Sequence, residues 1–394
     1  MKKLLVFLLA MSMILSLAAC GNGNNGTTDT SVQGSGTAAD DTADDTLPVT
    51  PESEADGGSI RVDIFWYTFS DTYLTSVRNA MEEQLKGLSN VSYTMHDCEE
   101  DQSKQTEKIE TAITQGTDLL IVNIVTTGSE ETAQNIVDLA SENDLPVIFF
   151  NREVFDSVIN SYDKACFVGT DADEAGYMQG QAVAEFLLKE DNLTKYDLDG
   201  DGEIKYLMFR GEHGNAEAFG RTKYSVQEAN RLLEGSGFTL VPSLANETSA
   251  QYEDDGISNY FLYGNWSAST AADLMSTALT ANSLTDGSIE LIFANNDDQA
   301  LGAIEAMNEE GFNTGAADAG YIPVFGVDAT TVAKEAIDAG KMTGTILQDG
   351  PAMAGCIVEL TRNIADGNDL LSNIGNYNMD EGVNKIRIAY AIVN

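Results

Sequence analysis

Beyond Gly58 the chain keeps exchanging two kinds of segment, and this alternation most limits what it can fold into. Short runs that are apolar at successive positions, such as DLLIVNIV and LPVIFF, alternate with longer stretches of helical spacing. A strand apolar at every position must be covered on both faces, which a parallel sheet achieves with helices on each side. The order reads strand SIRVDIFWY, helix 71–87, strand VSYTMHD, helix 102–115, strand DLLIVNIV, helix 129–142 and strand LPVIFF. It restarts with helix 172–190, strand KYLMF, helix 216–235, strand FTLVP, helix 269–282, strand IELIFA, helix 298–310, strand IPVFGV, helix 330–339 and strand TGTIL. Helix 351–366 and a strand KIRIAYAIV follow. About 340 residues exceed one ordinary domain, so the expectation is α/β, with two doubly wound parallel-sheet lobes.

The first residues, MKKLLVFLLAMSMILSLAAC, carry two lysines, an apolar run and then Leu17, Ala18, Ala19 and Cys20, the order of a secretory signal over residues 1–19. Those last four resemble a bacterial lipobox, which implies a diacylglyceryl group on Cys20 and a tether to the outer face of the cell membrane. Residues 21–57 contain eight acidic residues, no basic one and no aromatic one, so 20–57 reads as the lipidated cysteine and a disordered acidic linker. As a flexible coil it would span roughly 30 to 37 Å.

With 21 basic against 63 acidic residues the net charge is −42, and −44 once Lys2 and Lys3 leave with the signal. Nucleic acid is excluded as a partner, because binding it rests on neutralising phosphates with Lys and Arg. Lipidation of Cys20 leaves Cys98, Cys166 and Cys356, an odd number; Cys166 and Cys356 lie among apolar residues and read as buried thiols without a disulfide framework.

In open parallel sheets the ligand crevice lies beyond the carboxyl ends of the strands. The residues just after the strands are Asp71 and Tyr73, Asn151 and Arg152, the loop GEHGNAEAFGR, Trp266, Asn295 to Asp297, Asp328, and Gln348 with Asp349. Amides, carboxylates and an arginine give sugar hydroxyls both donors and acceptors, and aromatic rings cover the apolar faces of a pyranose. A Gly-rich phosphate loop follows none of the strands. Any single strand-end Asn or Asp is explained as well by capping the next helix. A glycosidase built on paired carboxylates such as Asp71 and Asp328 is the enzymatic rival. It is disfavoured: of the two histidines, His96 reads as a solvated residue following a strand and His213 lies in the binding loop without a nucleophile to serve.

The segments FSDTYLTSVRNAMEE, DQSKQ, PVIFFNRE, SYDKACFVGTD, DLDGDGEI, IELIFANND, IPVFGVDA and GTILQDG, in this order over residues 60 to about 390, resemble the glucose/galactose-binding protein family. These are solute receptors of ATP-binding cassette (ABC) importers with the type I periplasmic binding protein fold. The resemblance implies two lobes, 58–168 plus 350–386 and 169–349 plus 387–394, joined by a three-crossing hinge near Val168, Gln348 and Ile386. It implies a monomer that closes on a monosaccharide, glucose or galactose, and delivers it to the transmembrane subunits of an ABC permease; the alternatives are a sensor presenting its closed form to a chemoreceptor or kinase, or a receptor for another aldose. It places Asp71 as an acceptor for the 4-hydroxyl, Tyr73 and Trp266 as stacking rings, Asn151 as an amide contact, and Arg221, Asn296 and Asp328 as polar ligands. Three positions depart from the family: Asn215 stands for histidine, Glu217 for aspartate and Gln348 for asparagine.

The run YDLDGDGEIKY sets Asp197, Asp199 and Asp201 at alternate positions before Gly202, as a calcium loop does, but its twelfth position is Met208. The family supplies the missing carboxylate from a distant strand, here Glu290, so the resemblance implies a structural Ca2+ held by Asp197, Asp199, Asp201, the carbonyl of Glu203, and Glu290. The ninth position, glutamine in the family, is Lys205. Either water takes its place or Lys205 is itself the counter-charge; four converging carboxylates against one lysine favour the ion.

Overall fold

A computed structural model describes residues 46–49, 58–248 and 260–393. Cys20 and the signal lie outside them, as does most of the linker. Two α/β lobes account for the described chain, each built on one twisted sheet. The first sheet runs β1 (Thr46–Val49), β3 (Val91–Asp97), β2 (Ile60–Trp66), β4 (Leu119–Val122), β5 (Val147–Phe150), β6 (Ala165–Gly169), β15 (Lys385–Arg387) and β14 (Asn378–Met379). From β3 to β15 it is parallel, with the order reversing at β2. The second runs β16 (Tyr390–Val393), β13 (Gly344–Gln348), β12 (Val324–Asp328), β11 (Leu291–Ala294), β7 (Glu203–Arg210), β10 (Tyr260–Tyr263) and β9 (Glu247–Thr248), with β8 (Thr239–Pro242) also on β7.

The apolar runs behave as continuous strands between two layers of helices. In the first sheet Ile64 and Trp66, Ile148 and Phe150, and Cys166 and Val168 enter one core, while Phe65, Val147, Phe149 and Phe167 enter the core on the opposite face. The second sheet repeats this with Met208, Phe293 and Phe325 on one side and Phe209, Ile292 and Val324 on the other. Every position is buried because both faces are covered.

Four features differ from the sequence reading. KIRIAYAIV, read as one strand, is two: β15 pairs with β6 in the first sheet and β16 with β13 in the second, so the run divides where the resemblance implies a crossing near Ile386. Thr46–Val49, read as linker, pairs antiparallel with β3 and extends the sheet edge. The short apolar run Tyr260–Tyr263, left out of the reading, is the strand that leads into Trp266. His96 is not solvated: it lies within β3, 8% exposed, with Nε2 2.7 Å from Oδ1 of the fully buried Asp63. Cys98, Cys166 and Cys356 are all buried and free.

The helices Ala172–Leu187 and Ala216–Leu233 pack with their backbones almost in contact, and glycine permits it. A Cβ at Gly176 would lie 2.3 Å from the Gly220 carbonyl oxygen, and one at Gly180 2.4 Å from that of Ser225. The second of these helices carries Glu217 and Arg221, so this packing sets how far they reach toward the cleft. Gly180→Val should cost about 1–3 kcal/mol through overpacking, read by denaturant unfolding. An unchanged midpoint would mean that the helices separate freely.

Candidate functional site

The chain crosses between the lobes three times, between β6 and the helix Ala172–Leu187, between β13 and the helix Gly350–Ala365, and between β15 and β16. Beside these crossings, one cavity opens at the carboxyl ends of the strands. The structure brings all ten sequence-predicted ligand residues to its wall: Asp71, Tyr73, Asn151, Asn215, Glu217, Arg221, Trp266, Asn296, Asp328 and Gln348, joined by Tyr67 and Arg152.

Capping and lining turn out to be compatible. Asp71 accepts from the Leu74 amide at 2.7 Å, Asn215 from Ala218 at 3.0 Å and Asn296 from Gln299 at 3.0 Å, so each starts a helix whose N-terminus faces the cleft. Asp71 also accepts from the Tyr67 hydroxyl at 2.8 Å, which orients it. Asn151, Trp266 and Asp328 have φ of 59°, 64° and 121°. Such left-handed backbone in non-glycine residues costs of order 1–3 kcal/mol each and concentrates at functional sites. Gly211 makes room for the Trp266 indole, whose ring would lie 2.3 Å from a Cβ there.

The chemistry of the wall is unusual for a closed interior. Tyr73 Oη, both carboxylate oxygens of Glu217, Arg221 Nε and Trp266 Nε1 are buried, and none has a hydrogen-bond partner within the protein. Leaving such groups unpaired costs about 1–3 kcal/mol apiece, more when charged. Burial, followed by the field of Glu153, pushes the Glu217 carboxyl up to about 7 against the pull of Arg221 and Arg152. Asp328 is likewise raised well above the carboxylate range, by burial and by Asp297, Asp71 and Asp298, although Arg221 Nη1 is 3.6 Å away.

Arg221 is held by the hinge. Its Nη1 donates to the Asn295 carbonyl at 2.8 Å, and Nη2 to Gln348 Oε1 and to the Tyr390 hydroxyl, both at 3.1 Å. Thr170 Oγ1 in turn donates to Tyr390 at 2.7 Å and accepts from Gln348 Nε2 at 3.1 Å. Thr170, Gln348 and Tyr390 come one from each crossing. The amide of Gln348 thus uses both its ends on protein partners.

On the other side of the cavity the lobes are clasped. Glu212 accepts from Thr127 Oγ1 at 3.1 Å and forms an ion pair with Arg152, which also donates to the carbonyls of Ile124 and Val125. Gly128 and Gly214 meet across the gap, where a Cβ on Gly128 would lie 2.7 Å from the Gly214 oxygen. Thr72 donates to Asp298 at 2.8 Å. This is a closed cleft, leaving about 40 Å3.

Sequence reasoning placed Arg152 and the loop containing Glu212 at strand ends without giving either residue a role, and did not single out Tyr67, Thr170 or Tyr390. Tyr67 follows β2 directly, so for it too strand-end position was a usable signal. Thr170 and Tyr390 act at crossings whose registers only the fold fixes.

The calcium-loop residues form a separate group in the second lobe. Carboxylate oxygens of Asp197, Asp199 and Glu290 lie within 4.8 Å of one another. Lys205 Nζ stands 2.9 Å from Asp199 and 2.8 Å from Asp201.

Two measurements follow from this geometry. Glu217 has an ordinary pKa of 4.5 and a buried one of about 7, so the native state holds a proton that the unfolded chain loses across this window. Ligand-free stability should therefore fall as pH rises from 4.5 to 7, by at most about 3 kcal/mol, and Glu217→Gln should flatten the slope in denaturant unfolding. Tyr390→Phe should cost about 1–3 kcal/mol, shared between stability and ligand affinity, because it strips an acceptor from both Arg221 and Thr170. Unchanged unfolding and calorimetric titrations would show that the hinge contacts carry nothing.

Residues 62–369 match the family model described as periplasmic binding protein domain. The D-galactose/methyl-galactoside binding periplasmic protein of Haemophilus influenzae is 30% identical over 307 residues, 78% of this chain and 82% of that one. A putative rhizopine-binding protein of Rhizobium meliloti is 27% identical, over 71% of this chain and 76% of its own. Among solved structures, an ABC transporter solute binding protein from Bacillus halodurans with bound myo-inositol superposes with TM-score 0.63 at 24% identity, over 86% of this chain and 96% of that one. One from Clostridium phytofermentans with bound β-D-glucose gives 0.63 at 18% identity, over 85% and 94%. The two lobes, the three crossings and the polar cavity between them thus have a family: the chain belongs to the periplasmic binding protein domain family.

Proposed function

We propose that this protein is an extracytoplasmic receptor that closes its two lobes on a monosaccharide, galactose or glucose, and delivers it to an ABC permease. One observation carries the reading. A carboxylate, a guanidinium nitrogen, a phenol and an indole N–H, all buried and unpaired within the protein, converge on one small cavity with aromatic residues from both lobes. A polyol offers a donor and an acceptor at each hydroxyl, so it is the ligand type that satisfies such a mixed set at once. The rings of Tyr73 and Trp266 can cover its C–H faces. The galactoside-binding relative supports the hexose class. Its relatives are named as binding proteins, and the site is read as one for recognition without turnover.

Closure is derived from the same residues. A sugar bound to Asp71, Tyr73 and Asn151 on the first lobe also completes the bonds of Glu217, Arg221 and Asp328 on the second. Through Gln348 and Tyr390, Arg221 links that contact to the hinge. The Glu212 clasp then excludes water and strengthens each bond in the cleft. The lipobox reading adds an anchor: Cys20 would hold the receptor at the membrane surface, and Cys20→Ala should release it to the soluble fraction.

Titration calorimetry against galactose, glucose, ribose, xylose, arabinose, myo-inositol and a disaccharide tests the reading. One hexose should bind in the micromolar range, about −8.2 kcal/mol, and Trp266→Ala should weaken it roughly tenfold. Binding of another monosaccharide alone would move the specificity to that sugar. Heat from none of them would overturn the reading.

A further inference from the structure

The loop that resembles a calcium site does not fit calcium. It spans Asp197 to Lys205, from the end of the short helix Asn192–Tyr196 into the first residues of β7. The Lys205 ammonium lies between Asp199 Oδ2 at 2.9 Å and Asp201 Oδ2 at 2.8 Å, so two of the carboxylates a cation would need already hold a cation. The lysine side chain is only 21% exposed, which puts the charge inside the loop instead of in water. A divalent ion drawing on Asp199 and Asp201 would stand against that ammonium, and like charges at contact distance in a partly buried site repel.

The charge ledger over side chains alone, four carboxylates against one lysine, argued for an ion. The structure shows what it leaves out. Asp197 spreads its charge over three backbone donors, the amides of Gly200, Asp201 and Gly202, at 2.9 to 3.1 Å. Glu290, fully buried, accepts from the amides of Leu198 at 2.6 Å and Lys205 at 2.7 Å, one on each oxygen. Charge-assisted hydrogen bonds of this kind stabilise a carboxylate without a counter-ion. Asp199 has no such donor and Asp201 has one, the Glu203 amide at 2.8 Å; these two are the carboxylates that Lys205 bridges, and both are partly exposed to water.

We infer that Lys205 replaces the metal: its ammonium, with six backbone N–H groups, holds the Asp197–Lys205 loop closed against Glu290, and the protein folds and binds its ligand independently of calcium. One lysine and the loop amides do the work for which the family resemblance implies an ion.

The test uses the intact protein, with calcium chloride as the probe. The wild type should show no calcium binding by calorimetry at millimolar concentration and the same melting temperature in EDTA and in calcium. Lys205→Gln should melt several degrees lower in EDTA and regain that loss in calcium, because glutamine supplies the oxygen that lysine lacks. Lys205→Met, with neither charge nor donor, should melt lower in both, and Lys205→Arg should stay close to the wild type. Stoichiometric calcium binding by the wild type, or a melting temperature that drops in EDTA, would overturn the inference. So would a Lys205→Met variant that melts like the wild type. Sugar affinity, measured in EDTA and in calcium, should be equal, and it is read separately from whether any sugar binds.

Discussion

The guanidinium of Arg221 is the constraint around which the cleft is organised. It is a buried cation, and a buried charge is tolerable only when its donors are matched to acceptors held in place. Those acceptors come from several parts of the chain: the Asn295 carbonyl at the end of β11, the Gln348 amide, the Tyr390 hydroxyl and, at longer range, the Asp328 carboxylate. Two of them belong to hinge crossings, and Thr170 on the third crossing bonds to both. The residue proposed to meet the ligand with its free Nε therefore also ties together the three crossings between the lobes. Moving it disturbs recognition and hinge together.

The strain in the cleft is consistent with this. Asn151, Trp266 and Asp328 are in left-handed conformations, and Glu217 is buried without a partner. These terms oppose the ligand-free closed state, while the Glu212–Arg152 ion pair and the Thr72–Asp298 hydrogen bond favour it. The balance is what a receptor needs, since a ligand that satisfies the unpaired atoms removes the opposing terms and leaves the clasp. Each lobe is rigid enough to hold this geometry because its sheet is packed on both faces.

Much of the fold was legible because its cause is local. Strands apolar at every position, with capped helices between them, require a parallel sheet covered twice, and the helices Thr72–Leu85, Glu130–Glu142 and Asp297–Glu309 begin and end within a few residues of where their patterns place them. The candidate site was legible through the strand-end rule and the family motifs, down to Glu217 and Gln348. What escaped depended on tertiary pairing. KIRIAYAIV has a strand's composition throughout; its pattern gives no break at the crossing that the resemblance implies near Ile386, and the positions of β6 and β13 divide it between two sheets. His96 looked like a strand-end residue until Asp63 on the adjacent strand gave it a partner. The role inferred for Lys205 rests on backbone amides, which no count of side-chain charge includes.

The most direct test of the central claim is a crystal structure of the protein with its tightest-binding monosaccharide. The ring should lie between Tyr73 and Trp266, with sugar oxygens within about 3.2 Å of the Glu217 carboxylate, Tyr73 Oη and Arg221 Nε, and with Arg221 still bonded to Gln348 and Tyr390. A sugar bound elsewhere, or one that leaves Glu217 and Arg221 Nε without a ligand oxygen, would contradict it.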